Sequence, residues 1–353
     1  MSETSTNRYD RQTRFAPLGE AGQAGLAAGR ALVCGCGALG SVIANTLVRA
    51  GVGFVRIVDR DFLELNNLQR QVLYDEQDVA DGLPKAIAAA NKLRRINSEV
   101  EVESVVADVS FQNIAQLAGD VDVIVDGTDN FATRFLLNDY AAKHNKPWVY
   151  GGCIGAEGQS MTILPGETAC LACLMPEAPP PGTTPTCDTA GILGPIVNIV
   201  ASLQAAEAIK ILSGNRNAIS RKLTVFDIWG NHVRQLDLGR LREDGDCRVC
   251  KRGEFVWLSG QRGDSSAVLC GRNSVQLSPT SSADASTSGG SQISLDALAE
   301  RLSGVGRLQR NPFLLRLSVD RYVLTVFADG RTIVSGTDDV ATARTLHARY
   351  IGA

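Results

Sequence analysis

The first two-thirds of the chain alternate between short apolar runs and stretches with helical spacing. Ala31-Leu-Val-Cys34, Val55-Arg-Ile-Val58 and Val121-Asp-Val-Ile-Val125 have the length of strands and are almost wholly apolar, the pattern of strands buried on both faces. Glu99-Val-Glu-Val-Glu-Ser-Val-Val106 alternates, and Pro147–Gly152 and Gly158–Leu164 add further strands. Between them, Ser41–Ala50, Ala86–Leu93, Asn130–Leu137 and Gly194–Lys210 space their apolar residues as helices do. Gly51 and Gly53 punctuate the first helix, and Pro84 suits the first turn of the second. Strands and helices taking turns predict a mostly parallel sheet with helices on both faces.

The pattern changes after residue 252. Ser266–Cys270, Ser274–Leu277, Leu314–Leu317 and Tyr322–Phe327 read as strands, and Leu295–Leu302 and Val340–Tyr350 as helices. Asp329-Gly330 makes a hairpin turn into Arg331-Thr-Ile-Val334. A Ser/Thr/Gly/Ala tract at 278–291 interrupts this part as a flexible segment. The expected organisation is a domain over 1–252 and a small α+β module over 253–353.

Composition narrows the function. The 353 residues suffice for two domains, and a net charge of −3 gives no electrostatic case for nucleic acid or an anionic membrane. No apolar run is expected to span a membrane, and the N-terminal residues lack the apolar core of a signal peptide, so the expected location is cytoplasmic. The nine cysteines are an odd number, two of them beside glycines in one turn. That argues for metal binding or thiol chemistry rather than a disulfide framework.

The chemistry centres on residues 30–70. The first strand runs into Gly35-Cys36-Gly37-Ala38-Leu39-Gly40, a helix follows, and the next strand ends on Asp59. Gly35 permits the sharp turn, Gly37 clears the approach of a phosphate, and Gly40 allows close packing of the helix. The helix N-terminus offers N–H groups to an anion, and an acid about twenty residues on can accept from ribose hydroxyls. The turn alone does not distinguish NAD, FAD or ATP. Asn66-Asn67-Leu-Gln69-Arg70-Gln71 follows, with amides for phosphate or ribose and an arginine for phosphate. Lys85 sits at a helix start, where the dipole disfavours a cation, and so suggests an anionic partner. Asp126 and Asp129 end a strand in a manner suited to Mg²⁺ with phosphates; alternatively Asp126 caps a turn and Asp129 the following helix. Arg8 and Arg11 either reach a phosphate, in this subunit or a neighbour, or belong to a solvated arm.

Cys170-Leu-Ala-Cys173 and Cys247-Arg-Val-Cys250 stand about seventy residues apart. Two such pairs supply the halves of a tetrahedral zinc site with no open position, hence structural rather than catalytic. Cys187, in a Pro/Gly/Thr-rich loop before a helix, is either a nucleophile or an inert thiol.

Taken in order, these motifs resemble the ThiF/MoeB-type adenylyltransferases, relatives of the ubiquitin-activating enzymes, over residues 8–252. The resemblance implies a Rossmann-like doubly wound fold. It also implies ATP-dependent adenylation of the C-terminal Gly-Gly carboxylate of a small ubiquitin-like sulfur-carrier protein, for thiamine or molybdopterin biosynthesis. By resemblance, Gly35, Gly37, Ala38, Leu39, Gly40, Asp59, Asn67 and Asn130 bind ATP. Arg70 and Lys85 hold its phosphates, and Asp129 binds Mg²⁺. Arg11 matches an arginine that family homodimers donate to the partner's site, and Cys187 a cysteine used covalently in some members. No rhodanese-type loop is evident after residue 252, so sulfur is expected from a separate donor. The chain ends Tyr350-Ile-Gly-Ala353 and not Gly-Gly, so a fused carrier is not expected. Other readings are adenylation of a tRNA-bound or peptide carboxylate, a nicotinamide-dependent oxidoreductase, and a non-enzymatic nucleotide-binding scaffold.

Overall fold

The computed structural model describes residues 8–180, 187–262, 266–269, 273–277, 293–328 and 330–352. The tract at 278–291, Cys270 and the Asp329 turn position lie outside the described residues. Two compact units are present: residues 1–180 with 190–262, and residues 181–189 with 263–353.

In the first unit, β1 (Arg30–Cys34), β2 (Phe54–Val58), β3 (Glu101–Val105), β4 (Val123–Asp126) and β5 (Trp148–Ile154) are parallel. They are followed by antiparallel β6 (Glu157–Ile163), β7 (Lys222–Asp227) and β8 (His232–Asp237). The eight strands lie in the order β3-β2-β1-β4-β5-β6-β7-β8. The order reverses between β1 and β4, and a crevice opens at the carboxyl ends of strands at such a point.

Each face of the sheet carries its own core. Helices Ala38–Ala50, Lys85–Ile96 and Gly194–Leu212 cover one face. Helix Phe131–His144 and the segments around Cys170 and Cys247 cover the other. Helix Ala38–Ala50 buries Leu39, Val42, Ile43, Leu47 and Val48, each worth roughly 1.5–3 kcal/mol of transfer free energy. It ends at Gly51 in the left-handed conformation, φ 83°. Helix Gly194–Leu212 has 19 residues and is long and apolar enough to span a membrane, a length the sequence reading did not allow. Here it packs against β4, β5, β6 and helix Ala38–Ala50. Arg56 sits in the apolar run of β2 because Glu103 on β3, at 2.8 Å, and Asp120 pair with it. The first unit continues past Cys250: the Trp257 ring stacks on Phe135 at 5.7 Å, and the Trp257 backbone N–H donates to Asp139 Oδ2 at 2.9 Å.

The second unit is an antiparallel sheet of β9 (Ser266–Leu269), β10 (Ser274–Leu277), β11 (Arg307–Arg310), β12 (Leu314–Val319), β13 (Tyr322–Phe327) and β14 (Thr332–Ser335). Its core joins Val275, Leu317, Leu324, Val326 and Val334 to Leu295, Leu298 and Ala343 of helices Leu295–Arg301 and Val340–Tyr350. The polar edge strand β11 escaped sequence reading, because Arg307-Leu-Gln-Arg310 has one apolar residue and owes its conformation to pairing with β12.

Candidate nucleotide site and thiolate cluster

The glycine turn is shaped by contacts no side chain could tolerate. Gly35 has φ +81°, and a Cβ there would lie 2.8 Å from the Gly127 carbonyl oxygen. A Cβ on Gly40 would lie 1.8 Å from the Gly35 carbonyl oxygen, so the close packing expected of Gly40 is against the turn itself. Gly37 is different: a Cβ there would meet nothing nearer than Gln71 Nε2 at 3.8 Å. The space above Gly37 is therefore open. Helix Ala38–Ala50 starts beside it with no side-chain cap, leaving first-turn N–H groups for an anion.

Asp59 closes one side. It is buried; Oδ2 accepts from Cys36 N–H at 2.6 Å and Oδ1 from Asp61 N–H at 2.7 Å. Each oxygen keeps a further lone pair. Burial pushes the Asp59 carboxyl up, and Lys85 opposes the shift. Lys85 is buried at the first position of its helix, with Nζ 3.2 Å from Asp61 Oδ2. The anionic partner suggested by its placement includes Asp61. Pro84 stands at the N-cap, just before the helical position expected for it. Tyr74 ties the parts together: its single O–H donates to the Cys36 carbonyl at 2.6 Å, with the Lys85 carbonyl a longer, shared acceptor at 3.2 Å. The Cys36 thiol beneath the turn is pushed up to about 12 by burial, so it is protonated and unreactive.

The run after Asp59 is partly used in holding itself. Asn67 Oδ1 accepts from Glu64 N–H at 3.1 Å, and its Nδ2 donates to Asn66 Oδ1 at 2.8 Å. Arg70 Nη1 donates to the Asn66 carbonyl at 2.9 Å. Arg60, next to Asp59, donates to both oxygens of Asp108 at 2.8 and 3.0 Å.

At the end of β4, Asp126 is fully buried. Its Oδ1 accepts from Thr128 N–H at 2.9 Å and Thr128 Oγ1–H at 2.7 Å, which is the turn cap considered from sequence. Burial pushes this carboxyl up, and Arg134 opposes the shift. Arg134 Nε stands 3.4 Å from Asp126 Oδ2, an ion pair whose geometry is off a hydrogen bond. Arg134 also donates to the carbonyls of Thr128, at 2.7 Å, and Gly151, at 3.1 Å. The helix cap considered for Asp129 is instead Asn130, whose Oδ1 accepts from Thr133 N–H at 2.8 Å. Asp129 is left exposed.

Arg11 lies elsewhere. Its segment docks on the C-terminal end of helix Ala38–Ala50: Gln12 Nε2 donates to the Ala50 carbonyl at 2.9 Å, and the Tyr9 ring lies over Gly51. Thirteen helical residues separate that end from the glycine turn, about 20 Å at 1.5 Å per residue. The segment is therefore packed, not a wholly solvated arm, while Arg11 itself is exposed. Cys187 opens a short helix, Cys187–Ala190, and its side chain lies outside the described residues.

The two C-x-x-C pairs meet. Sγ–Sγ distances are 3.8 Å for Cys170–Cys173, 3.6 Å for Cys170–Cys247 and 3.4 Å for Cys173–Cys250, and all four sulfurs lie within 4.8 Å of one another. A tetrahedron with Zn–S bonds of about 2.3 Å has edges of about 3.8 Å, so these donors fit zinc. Leu171 N–H donates to Asn138 Oδ1 at 2.8 Å, fixing the first pair on helix Phe131–His144.

Sequence reasoning missed Tyr74, Arg134 and Arg60. Arg134 lies in the stretch of helix Phe131–His144 that is buried all round.

A model of the ThiF family matches residues 9–249. The chain belongs to the ThiF family. It is 43% identical over 348 residues to the sulfur carrier protein ThiS adenylyltransferase of Bacillus subtilis, covering 98% of this chain and 100% of that one. That alignment takes in both units. The SAMP-activating enzyme E1 of Haloferax volcanii is 39% identical over 253 residues, 72% of this chain and 92% of its own. Among solved structures, E. coli MccB with ATP shares the fold with a TM-score of 0.60 at 23% identity, over 70% of this chain and 75% of that one.

Proposed function

We propose that this ThiF-family protein is the adenylyltransferase of a small ubiquitin-like sulfur-carrier protein. A carboxylate oxygen of the carrier's C-terminal Gly-Gly attacks the α-phosphorus of ATP. The bond from that phosphorus to the bridging oxygen breaks, pyrophosphate leaves, and the carrier becomes an acyl-adenylate ready for sulfur transfer. The open cradle over Gly37, where the strand order reverses, carries this reading. Similarity over its whole length to a ThiS adenylyltransferase supports the substrate and favours thiamine over molybdopterin synthesis.

In this reading the helix start and Gly35, Gly37, Ala38, Leu39 and Gly40 receive the phosphates, and Asp59 takes the ribose. Lys85 and Arg70 offset the charge that moves onto pyrophosphate, the main electrostatic contribution to such a reaction. Asn67 and Asn130 shape the walls through the turn and helix cap they hold. Asp129, exposed at the end of β4 and not engaged as a cap, would hold Mg²⁺, which screens the triphosphate. The four cysteines would hold a structural zinc.

The working form is a homodimer. Arg11 is anchored about a helix length from its own glycine turn, so it serves a neighbour's site if it serves any. Leu193 and Ile199 are 40% and 39% exposed beside exposed Pro195 and Ser202 on helix Gly194–Leu212 and the residue before it, an apolar strip suited to a second copy. Cys187 is a candidate for a covalent step with the carrier. The sulfur donor is a separate protein, and the setting is cytoplasmic.

ATP–pyrophosphate exchange with the Gly-Gly-ending proteins of the source organism tests this function. Exchange dependent on one of them is expected; exchange with none overturns the substrate assignment. A peptide or tRNA-bound carboxylate replacing the carrier in that assay would reassign it.

A further inference from the structure

The sheet of the first unit comes apart on one side of the crevice. Among the described residues, parallel β4 and β5 pair at Ile124↔Trp148 and Val125↔Val149 and no further. Past that point β4 stays with β1, the Gly127 N–H donating to the Cys34 carbonyl at 2.7 Å, and β5 stays with β6 as far as Ile154↔Glu157. The fork opens at the carboxyl ends of the two strands, beside the turn that runs from Asp126 to Asp129. Carbonyls that face such a gap need donors from elsewhere.

One side chain from each face of the sheet spans the gap. Gln204, in the middle of helix Gly194–Leu212, is 0% exposed, and its Nε2 donates to the Asp126 carbonyl at 2.7 Å and the Val149 carbonyl at 3.2 Å. Arg134, from the helix on the other face, donates to the Thr128 and Gly151 carbonyls. Only the nitrogen of the Gln204 amide can donate to two carbonyls, which fixes the direction of the amide. Its oxygen is left buried with no hydrogen-bond partner among the described residues, so the fold tolerates an unsatisfied acceptor to keep the nitrogen in the fork. Gly151 makes room for the amide, since a Cβ there would lie 2.4 Å from Gln204 Cδ. The turn that this amide holds on one side packs on the glycine turn on the other: a Cβ on Gly127 would lie 2.5 Å from the Gly35 carbonyl oxygen and 2.9 Å from Gly40 Cα.

Resting on the adenylyltransferase reading, we propose that Gln204 is a positioning residue for the chemical step. Its amide sets the separation of β5 from the Asp126–Asp129 turn, and so fixes where Asp129 stands relative to the phosphates over the glycine turn. Gln204 touches neither nucleotide nor carrier; it acts through the Asp126 carbonyl. The groups assigned to ATP itself, the glycine turn, Asp59 and Lys85, follow β1 and β2 on the β4 side of the fork. A shift of the turn therefore leaves ATP bound and degrades alignment, to which reaction within a bound complex is steeply sensitive. Arg134 bridges the same gap but also neutralises Asp126, so its loss mixes charge with position. Gln204 is neutral and isolates position.

The test uses the full chain carrying Gln204→Ala, Gly151→Ala or both, with pyrophosphate exchange measured below the melting temperature of each. Gly151→Ala keeps the glutamine and pushes its amide out of the fork with the added methyl. Each single variant should lower kcat roughly tenfold to a hundredfold, while the KM for ATP and ATP binding by calorimetry stay within about twofold of wild type. The double variant should be no slower than Gln204→Ala alone, because the methyl then has no amide to displace. Lower melting with full kcat in either single variant means a purely structural role and overturns the proposal, as do losses that add in the double variant or a loss carried by the KM for ATP. If Gln204→Ala does not fold, Gly151→Ala decides by the same two constants; failure of both to fold overturns positioning in favour of structure. Wild-type protein that supports no exchange with any carrier overturns the adenylyltransferase reading, and this one with it; wild-type exchange matched by both single variants overturns this one alone.

Discussion

Arg134→Met removes the partner of a carboxylate that has no contact with water. Asp126 is 0% exposed and Arg134 8%, with Nε 3.4 Å from Oδ2. Methionine fills much of the volume and replaces neither the charge nor the bonds to the carbonyls of Thr128 and Gly151. Breaking one side of a buried ion pair costs about 3–5 kcal/mol, and the two released carbonyls push the loss toward the upper value. In a unit of this size each kcal/mol shifts melting by roughly 2–4 °C, so the expected drop is roughly 10–20 °C. The loss has a pH signature. Burial already raises the folded Asp126 carboxyl, with Arg134 opposing; without Arg134 it rises further. The folded variant then holds a proton that the unfolded chain releases above a pKa of about 3.9, and stability falls as pH rises through the window between the two values. The deficit against wild type should therefore be smaller at about pH 5 than at about pH 8. Asp126→Asn with Arg134→Met removes the unpaired charge and should recover part of the loss. Melting curves of Arg134→Met, Asp126→Asn and the double variant across pH are the assay. A single variant melting within about 3 °C of wild type, a deficit independent of pH, or a double variant as unstable as the sum of the singles would refute this account of the pair.

Asp129→Ala should abolish pyrophosphate exchange without shifting apo melting, since the exposed carboxylate caps no helix; full activity would refute its role as a magnesium ligand. Purified protein should carry one zinc per chain, and cobalt in its place should give thiolate charge-transfer absorption. Cys170→Ser should lose the metal and with it several kcal/mol of folding free energy, seen as a lower melting temperature, and unchanged melting would refute a structural zinc. Arg11→Ala and Lys85→Ala should each be inactive alone, yet co-refolding them in equal amounts should restore about a quarter of wild-type sites, because half the dimers are mixed and one site of each is complete. No recovery would refute donation of Arg11 across a dimer.

Much of this protein is determined by local patterns. The strand, glycine turn, helix, strand and acid of residues 30–59 form one continuous unit, and its steric needs are carried by Gly35 and Gly40 themselves. The parallel order of β1 to β5 follows from helices placed between strands. The four cysteines announce their cluster through spacing alone. What tertiary structure decided are partnerships between residues whose type permits several. Asp126 and Asp129 looked alike as acids after a strand, but a buried arginine from the next helix claimed Asp126 and the cap went to Asn130. Lys85 received Asp61, and Tyr74 reached back 38 residues to the Cys36 carbonyl. Tyr9 and Gln12 dock the segment of Arg11 on the C-terminal end of helix Ala38–Ala50, a helix length from the glycine turn of the same chain. Apolar periodicity reports which face is buried, because burial depends on area; a hydrogen bond depends on distance and direction between chosen atoms, and those exist only once the segments have packed.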